Sequence, residues 1–309
     1  LLFSAFHSKE KETYDIQGQY WLDDTQSSEN LGVGTYHEHA RNYLTSNMQS
    51  VKLMANHKWG RHQSEAGVTV KWEDIKENSR EYEMRDSSGY NIPHSPDRLD
   101  LIYSLISRNK LLSNRVEGYI QDTYRWASGS EGGTHYTLNY GLRMSHWSYN
   151  RETIVSPRLS LAIIPAHCQD MTLRFATGLY YQTPFYKELR DTVTLNGRTV
   201  VELNPKVKSQ QSLQFIAAMD YRFKMNDRPF KFTAEAYYKN LHNLIPYNVQ
   251  NLKITYDASK QCDGYAMGLD LKLYGEFVPG TDSWLTLSVM KTQQTINGIK
   301  TPLPTDQRW

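Results

Sequence analysis

Residues 230–239 alternate without a break: Phe230, Phe232, Ala234, Ala236 and Tyr238 on one phase, Lys231, Thr233, Glu235, Tyr237 and Lys239 on the other. Successive side chains of a strand point to opposite faces, so this is a ribbon about 30 Å long, at roughly 3.3 Å per residue, with a greasy side and a charged side. The period returns along the chain. Leu213, Phe215, Ala217, Met219, Tyr221 and Phe223 oppose Gln214, Asp220, Arg222 and Lys224. Met171, Leu173, Phe175, Leu179 and Tyr181 oppose Thr172, Arg174 and Tyr180; Met267, Leu269, Leu271 and Leu273 oppose Asp270 and Lys272. Tyr136, Leu138, Tyr140, Leu142 and Met144 oppose Asn139, Arg143 and Ser145. Soluble antiparallel sheets alternate as well, so the connections between strands must separate a sandwich from a membrane wall.

Those connections alternate in length. Short ones fall at residues 60–64, 127–134, 165–170, 226–229 and 279–282, each rich in Gly, Pro, Asn or Asp. Long ones are predicted at 11–34, 86–111, 182–210, 243–261 and 293–304, and residues 148–153 are short where a long one is due. Tight turns at one end and long loops at the other are the asymmetry of outer-membrane barrels, whereas a Greek-key sandwich scatters its loop lengths. The fold class expected is all-β, with about eleven consecutive strands of an antiparallel transmembrane barrel.

Composition is compatible with this. The mean hydropathy of -0.66 looks soluble, but a polar inner face halves the apparent hydropathy of every barrel strand. No stretch approaches the roughly 18 apolar residues of a spanning helix. The 22 Tyr, 7 Trp and 9 Phe suit aromatic girdles at two membrane interfaces. A net charge of +2 without a basic run argues against a nucleic-acid partner. The topology puts Cys168 in a turn and Cys262 at the loop end of its strand, too far apart for a disulfide, so two free thiols are expected. Asp122 sits on the apolar phase of Val116, Ile120, Tyr124 and Trp126, which demands an interfacial location or a bulge.

Three constellations invite chemistry. His37, Glu38 and His39 place two imidazoles on one side of a strand, with no third metal ligand at a fixed spacing, so neither metal nor cofactor is expected. Ser145 and His146 are neighbours on a strand and point to opposite faces, so they cannot pair as nucleophile and base, and no enzyme activity is expected. The loop 86–96 carries Asp86, Tyr90 and His94 among turn-forming Gly and Pro; with Tyr247 these are the candidates for ligand contact on long loops over a rigid scaffold.

The segments IVSPRLSLAIIP (154–165), LRFATGLYYQTPFYKEL (173–189), FKFTAEAYYKNLHNLIPY (230–247), GYAMGLDLKLYGEFVPGTDSW (264–284) and PTDQR (304–308) resemble the barrel of TonB-dependent outer-membrane receptors, specifically those with a carboxypeptidase-regulatory-like N-terminal domain. The resemblance covers essentially the whole chain and only the barrel part of the family. It implies a 22-stranded barrel closed by an N-terminal plug, of which residues 1–309 would be an internal, non-functional half. It further implies a Gram-negative outer membrane, surrounding lipid, coupling to the TonB-ExbB-ExbD complex, and uptake of a scarce nutrient such as a siderophore, vitamin, glycan or peptide. Arg143, Arg158, Arg174, Asp220, Arg222, Lys224, Lys231, Glu235, Lys239, Asp270, Lys272 and Glu276 would then face the lumen, their cationic excess pointing to an anionic ligand. A passive porin and a surface-binding adhesin are the alternatives.

Overall fold

Backbone polar groups have no water to bond to inside a bilayer, and the chain meets this with one continuous antiparallel sheet. The computed structural model describes residues 1–23, 30–86, 99–129, 132–195, 198–250, 253–303 and 306. The wall runs β1 (Leu2–Asp23), β2 (Asn30–Trp59), β3 (His62–Asp86), β4 (Asp100–Ser128), β5 (Thr134–Trp147), β6 (Glu152–Ile164) and β7 (Met171–Gln182). An excursion follows, made of a 3-10 turn (Tyr186–Leu189), β8 (Arg190–Leu195) and β9 (Arg198–Leu203). The wall resumes with β10 (Gln210–Met225) and β11 (Arg228–Leu244), is interrupted by the hairpin β12 (Tyr247–Gln250) and β13 (Lys253–Tyr256), and continues with β14 (Cys262–Val278), β15 (Thr281–Ile296) and the short β16 (Ile299–Thr301). Sheet order is β1-β2-β3-β4-β5-β6-β7-β10-β11-β14-β15-β16, so eleven long strands form the wall, as the alternation predicts.

All five predicted short turns are where expected, and the tightest use left-handed backbone at Gly60, Asn226 with Asp227, and Gly280. Three predicted long loops are corrected. Most of 11–34 is strand, because β1 reaches Asp23 and β2 starts at Asn30. Residues 100–111 of the predicted loop 86–111 belong to β4. The stretch 293–304 holds a two-residue hairpin at Asn297 and Gly298, both at positive φ, the dipeptide that a tight hairpin turn requires. The first two share a cause: β1 to β4 run to 22, 30, 25 and 29 residues, far beyond a membrane, and there charged and polar residues break up the apolar phase.

The sheet's two faces differ as the alternation requires. Phe215, Phe175, Leu142, Ile120, Leu269, Leu285 and Leu287 stay exposed on one face. Near the short turns this face carries stacked rings: Trp59, His62, Tyr124, Trp126 and Tyr136 at centroid spacings of 4.2, 4.6, 5.1 and 4.9 Å, and Tyr221, Phe223, Phe230 and Phe277 at 5.7, 5.7 and 5.2 Å. Phe277 joins this belt. Trp284 does not, since its partner Tyr274 pairs with Lys231 on the other face. Asp122 lies one row inside the belt without any bulge, and accepts from His62 Nδ1 at 2.7 Å, Ser64 Oγ at 2.8 Å and Tyr140 OH at 2.9 Å. An interfacial position with three donors explains a carboxylate on the apolar phase.

The packed core is elsewhere. Ile75, Leu111 and Trp147 on the polar face of β3 to β5 bury themselves under Tyr186, Leu189, Val207, Ile245 and Ala258 from the two excursions. The short β5-β6 connection is the reason. The last β4-β5 pair is Arg115 with Trp147, so the rest of β4 loses its neighbour, and β9 fills part of that edge by pairing in parallel with Leu105 to Ser107. Cys168 and Cys262 are both free, Cys168 between β6 and β7 and Cys262 at the opposite end of the wall.

Glycines opposite aromatic residues lock the register. Gly18 faces Tyr36, Gly34 faces Tyr20, Gly67 faces Tyr119, Gly268 faces Tyr237 and Gly275 faces Phe230, each ring lying over the bare backbone. A Cβ on Gly67 would lie under 3 Å from the Tyr119 ring, whereas one on Gly118 would meet nothing nearer than 3.9 Å. Gly67→Ala is therefore expected to destabilise the barrel by about 1–3 kcal/mol through overpacking, and Gly118→Ala by under about 0.5 kcal/mol. Urea unfolding of the two variants of the full-length protein measures the difference.

Candidate functional site

Two three-strand charge bridges organise the polar face. Glu117 on β4 takes Lys71 Nζ of β3 at 2.9 Å and Arg143 of β5 at 2.5 Å. Asp220 on β10 takes Arg174 Nε of β7 at 2.9 Å and Lys231 Nζ of β11 at 3.1 Å, and accepts from Thr233 Oγ1 at 2.8 Å. The cations stay roughly half exposed, at 47% for Arg143, 45% for Arg174 and 44% for Lys231. Each pair is therefore worth no more than about 1 kcal/mol. Their effect is to fix where charge sits.

Arg158 has no carboxylate partner among the described residues. Its cross-strand neighbours are Gly141 and Gly178, which leave its flanks bare, and its guanidinium stacks over Tyr180 at 4.3 Å. Around it Tyr119, Gln121, Asn139 and Arg143 border a depression of about 490 Å³. Further along, Glu235 pairs directly with Asp270 and Arg222 with Lys231, setting like charges opposite one another, while Lys272 pairs with Thr233. Nine of the twelve charges expected in the lumen, Arg143, Arg158, Arg174, Asp220, Arg222, Lys231, Glu235, Asp270 and Lys272, thus share the polar face. Arg143 and Arg158 border the depression, and the others lie along the wall.

The structure adds a site that the sequence left unmarked. Glu77, 6% exposed, accepts from Ser107 Oγ at 2.6 Å and Tyr186 OH at 2.8 Å, and lies 3.3 Å from Arg190. Glu73 accepts from Ser113 Oγ at 2.6 Å and lies 3.5 Å from Arg115, whose guanidinium stacks on Trp147 at 4.7 Å. Together they clamp the 3-10 turn onto the polar face. The turn caps itself: Glu188 accepts from the Phe185 backbone N–H at 3.1 Å and from Gln210 Nε2 at 2.9 Å, and burial holds its carboxyl above the usual range. Tyr103 OH donates to Glu81 at 3.3 Å nearby, a part-buried contact. The available signal was the phase of Glu73, Glu77 and Glu81, all on the side of β3 opposite Val68, Val70 and Trp72.

The loop candidates separate. Tyr90 and His94 lie outside the described residues. Asp86 closes β3, its carbonyl accepting from Tyr20 OH at 2.5 Å. Tyr247 opens β12 and packs on Tyr256 at 5.8 Å, in the excursion beside the buried cluster. His37 and His39 share a face as expected, where His39 meets Asp15 at 2.5 Å and stacks on Tyr82 at 4.5 Å, and Arg41 takes the other Asp15 oxygen. Ser145 and His146 point to opposite faces, His146 Nδ1 lying 2.9 Å from Thr153 Oγ1.

The family profile described as "TonB dependent receptor-like, beta-barrel" matches residues 4–309. The chain belongs to the TonB-dependent receptor barrel family. Solved structures share its fold: the outer-membrane transporter YddB from Escherichia coli at TM-score 0.51 and 11% identity, over 96% of this chain and 44% of that one. The copper transporter OprC aligns at 0.55 and 14%, over 88% and 44%. FpvAI, in its complex with pyocin S2, aligns at 0.55 and 10%, over 96% and 39%. This receptor chain thus spans less than half the length of those transporters. No curated protein matches it in sequence.

In the receptor, removing the Glu77 carboxylate leaves Arg190 and Tyr186 buried without their acceptor. Glu77→Ala is expected to cost about 3 kcal/mol in the clamp, and Tyr186→Phe about 1 kcal/mol. Limited proteolysis measures this as accelerated cleavage within 183–209, faster for Glu77→Ala than for Tyr186→Phe.

Proposed function

We propose that this chain is half of the wall, with its loops, of an energy-coupled importer in the outer membrane of a Gram-negative bacterium. Residues 1–309 are the partial barrel domain of that protein. A plug domain elsewhere in the chain fills the lumen, and the TonB-ExbB-ExbD complex moves it. The cargo is a scarce nutrient: a siderophore, vitamin, glycan or peptide. The single observation that carries the reading is the two-faced wall, in which an exposed apolar band, bordered near the short turns by an aromatic belt, backs onto a face of bridged charges.

The charged face becomes the lumen lining under this reading. Glu117 and Asp220 hold four cations at fixed positions, and Arg158, free of any carboxylate among the described residues, offers a guanidinium to an anionic group of the cargo or the plug. Asp86, Tyr90, His94 and Tyr247 would contact cargo from the loops before it enters. Translocation makes and breaks no covalent bond.

A porin leaks and an adhesin does not transport, so two measurements on the full-length protein separate the readings. Liposomes carrying it are expected to swell no faster in permeant sugar than protein-free liposomes. Growth on the limiting nutrient is expected to need both the receptor and a functional TonB. Free swelling, or growth indifferent to loss of TonB, would contradict the importer.

A further inference from the structure

The tall ribbon of β1 to β4 is charged oppositely on its two faces. The sequence SKEKE at residues 8–12 shows how: Lys9 and Lys11 share one phase, Glu10 and Glu12 the other. Cross-strand pairing carries this through four strands. Lys9 aligns with Thr45, Lys76 and Lys110; Lys11 with Tyr43, Asn78 and Arg108; Thr13 with Arg41, Arg80 and Ile106. These twelve positions hold seven cations and no carboxylate. The opposite face at the same height carries Glu10, Glu12, Glu77 and Glu81.

The basic face continues the lipid-facing band. Its phase is that of Leu53, Val51, Val70 and Val116 below. From the belt at Trp59 to the row of Gln49 and Trp72 is ten residues of β2. That is about 33 Å along a strand and, at a tilt near 40°, about 25 Å of height, the thickness of an apolar band. The row of Lys9, Lys76 and Lys110 stands about 10 Å above its upper edge and the row of Arg80 about 20 Å above it, by the same geometry. A phospholipid headgroup layer is only about 5–8 Å deep.

Lys9, Lys11, Lys76, Arg80, Arg108 and Lys110 are exposed, and among the described residues only Lys76 of these six pairs with a carboxylate, Asp74 at 3.5 Å, while Asp15, one row above on the same face, is taken by Arg41 and His39. Lys76 stands directly opposite Lys110, an arrangement that destabilises a sheet unless an anion lies between. We infer that this outward basic face binds the phosphorylated sugar headgroups of a glycolipid in the outer leaflet. Sugar-borne phosphates reach the height that phospholipid phosphates do not, and they supply the missing counter-charge. The inference rests on the outer-membrane reading above, which sets this end of the strands outside the cell.

The test uses the full-length receptor in detergent, with purified rough lipopolysaccharide as probe, native or dephosphorylated, and phosphatidylglycerol for comparison. Native lipopolysaccharide is expected to bind at least tenfold more tightly than either of the others. The variant Lys9→Gln/Lys76→Gln/Arg108→Gln/Lys110→Gln should lose that advantage and Glu12→Gln on the opposite face should keep it. Equal binding of the dephosphorylated probe, or undiminished binding by the quadruple variant, overturns the inference. So does an effect of the variant confined to loss of a co-purifying acidic protein. Labelling of Ser259→Cys, exposed in the β13-β14 connection at the same end of the wall and away from the basic face, by an impermeant maleimide on intact cells with Cys168 and Cys262 replaced tests the orientation separately: no labelling sinks the outer-membrane reading, whereas labelling together with lipopolysaccharide binding that does not depend on phosphate sinks only the glycolipid site.

Discussion

Hydrocarbon offers no partner to a backbone N–H or C=O, and each group left unpaired there costs several kcal/mol. An unbroken sequence of antiparallel pairings from β1 to β15 meets that constraint across eleven long strands. Much else follows from protecting it. Where the short β5-β6 hairpin leaves the upper edge of β4 bare, β9 pairs with it in parallel. The clamp of Glu77, Tyr186 and Arg190 then holds that strand's excursion in place. The packed core of this chain therefore lies where the loops close over the wall.

A one-layer wall forces each strand to serve two solvents. The outward phase has to be apolar for about 25 Å and rimmed by rings; the inward phase is free to carry charge. Glycine and aromatic residues resolve a second difficulty, since a tilted, twisted sheet needs positions without a Cβ, and a ring from the neighbouring strand covers each bare backbone. Above the membrane the apolar requirement lapses, and β1 to β4 replace it with a division by sign of charge. That division gives a net charge of only +2 no diagnostic value, because cations and carboxylates cancel in the sum while standing on opposite faces.

Legibility in the sequence tracked the same physics. The membrane-embedded parts of β5 to β15 were readable because hydrophobic alternation reports burial in lipid, and the tight turns because Asn, Asp and Gly mark left-handed backbone. The upper halves of β1 and β2 were not, since residues 9–12 alternate Lys with Glu, Gly18 interrupts the apolar phase of Tyr14, Ile16 and Tyr20, and the turn-forming Asp, Ser and Asn of 23–30 mark a loop. The hairpin at Asn297 and Gly298 was legible in principle from that dipeptide alone. Interior charges such as Arg174, Asp220 and Lys231 could be assigned a face, while their bridging across β7, β10 and β11 depends on register, which no single strand reveals. The Glu77 clamp joins residues 109 positions apart, Glu77 to Tyr186, and only the folded chain brings them together.

The central claim is that one sheet face meets lipid and the other a hydrated interior. Single cysteines at Gln214, Phe215, Ile216, Ala217, Ala218 and Met219 of β10, placed in the full-length protein with Cys168 and Cys262 replaced, can carry a fluorophore against a lipid-borne quencher in vesicles. Quenching should alternate, strong at 215, 217 and 219 and weak at 214, 216 and 218, with Ile216 weak despite its apolar side chain because it pairs with Tyr237 on the interior face. Uniform quenching, or strong quenching at 214, 216 and 218, would contradict the account.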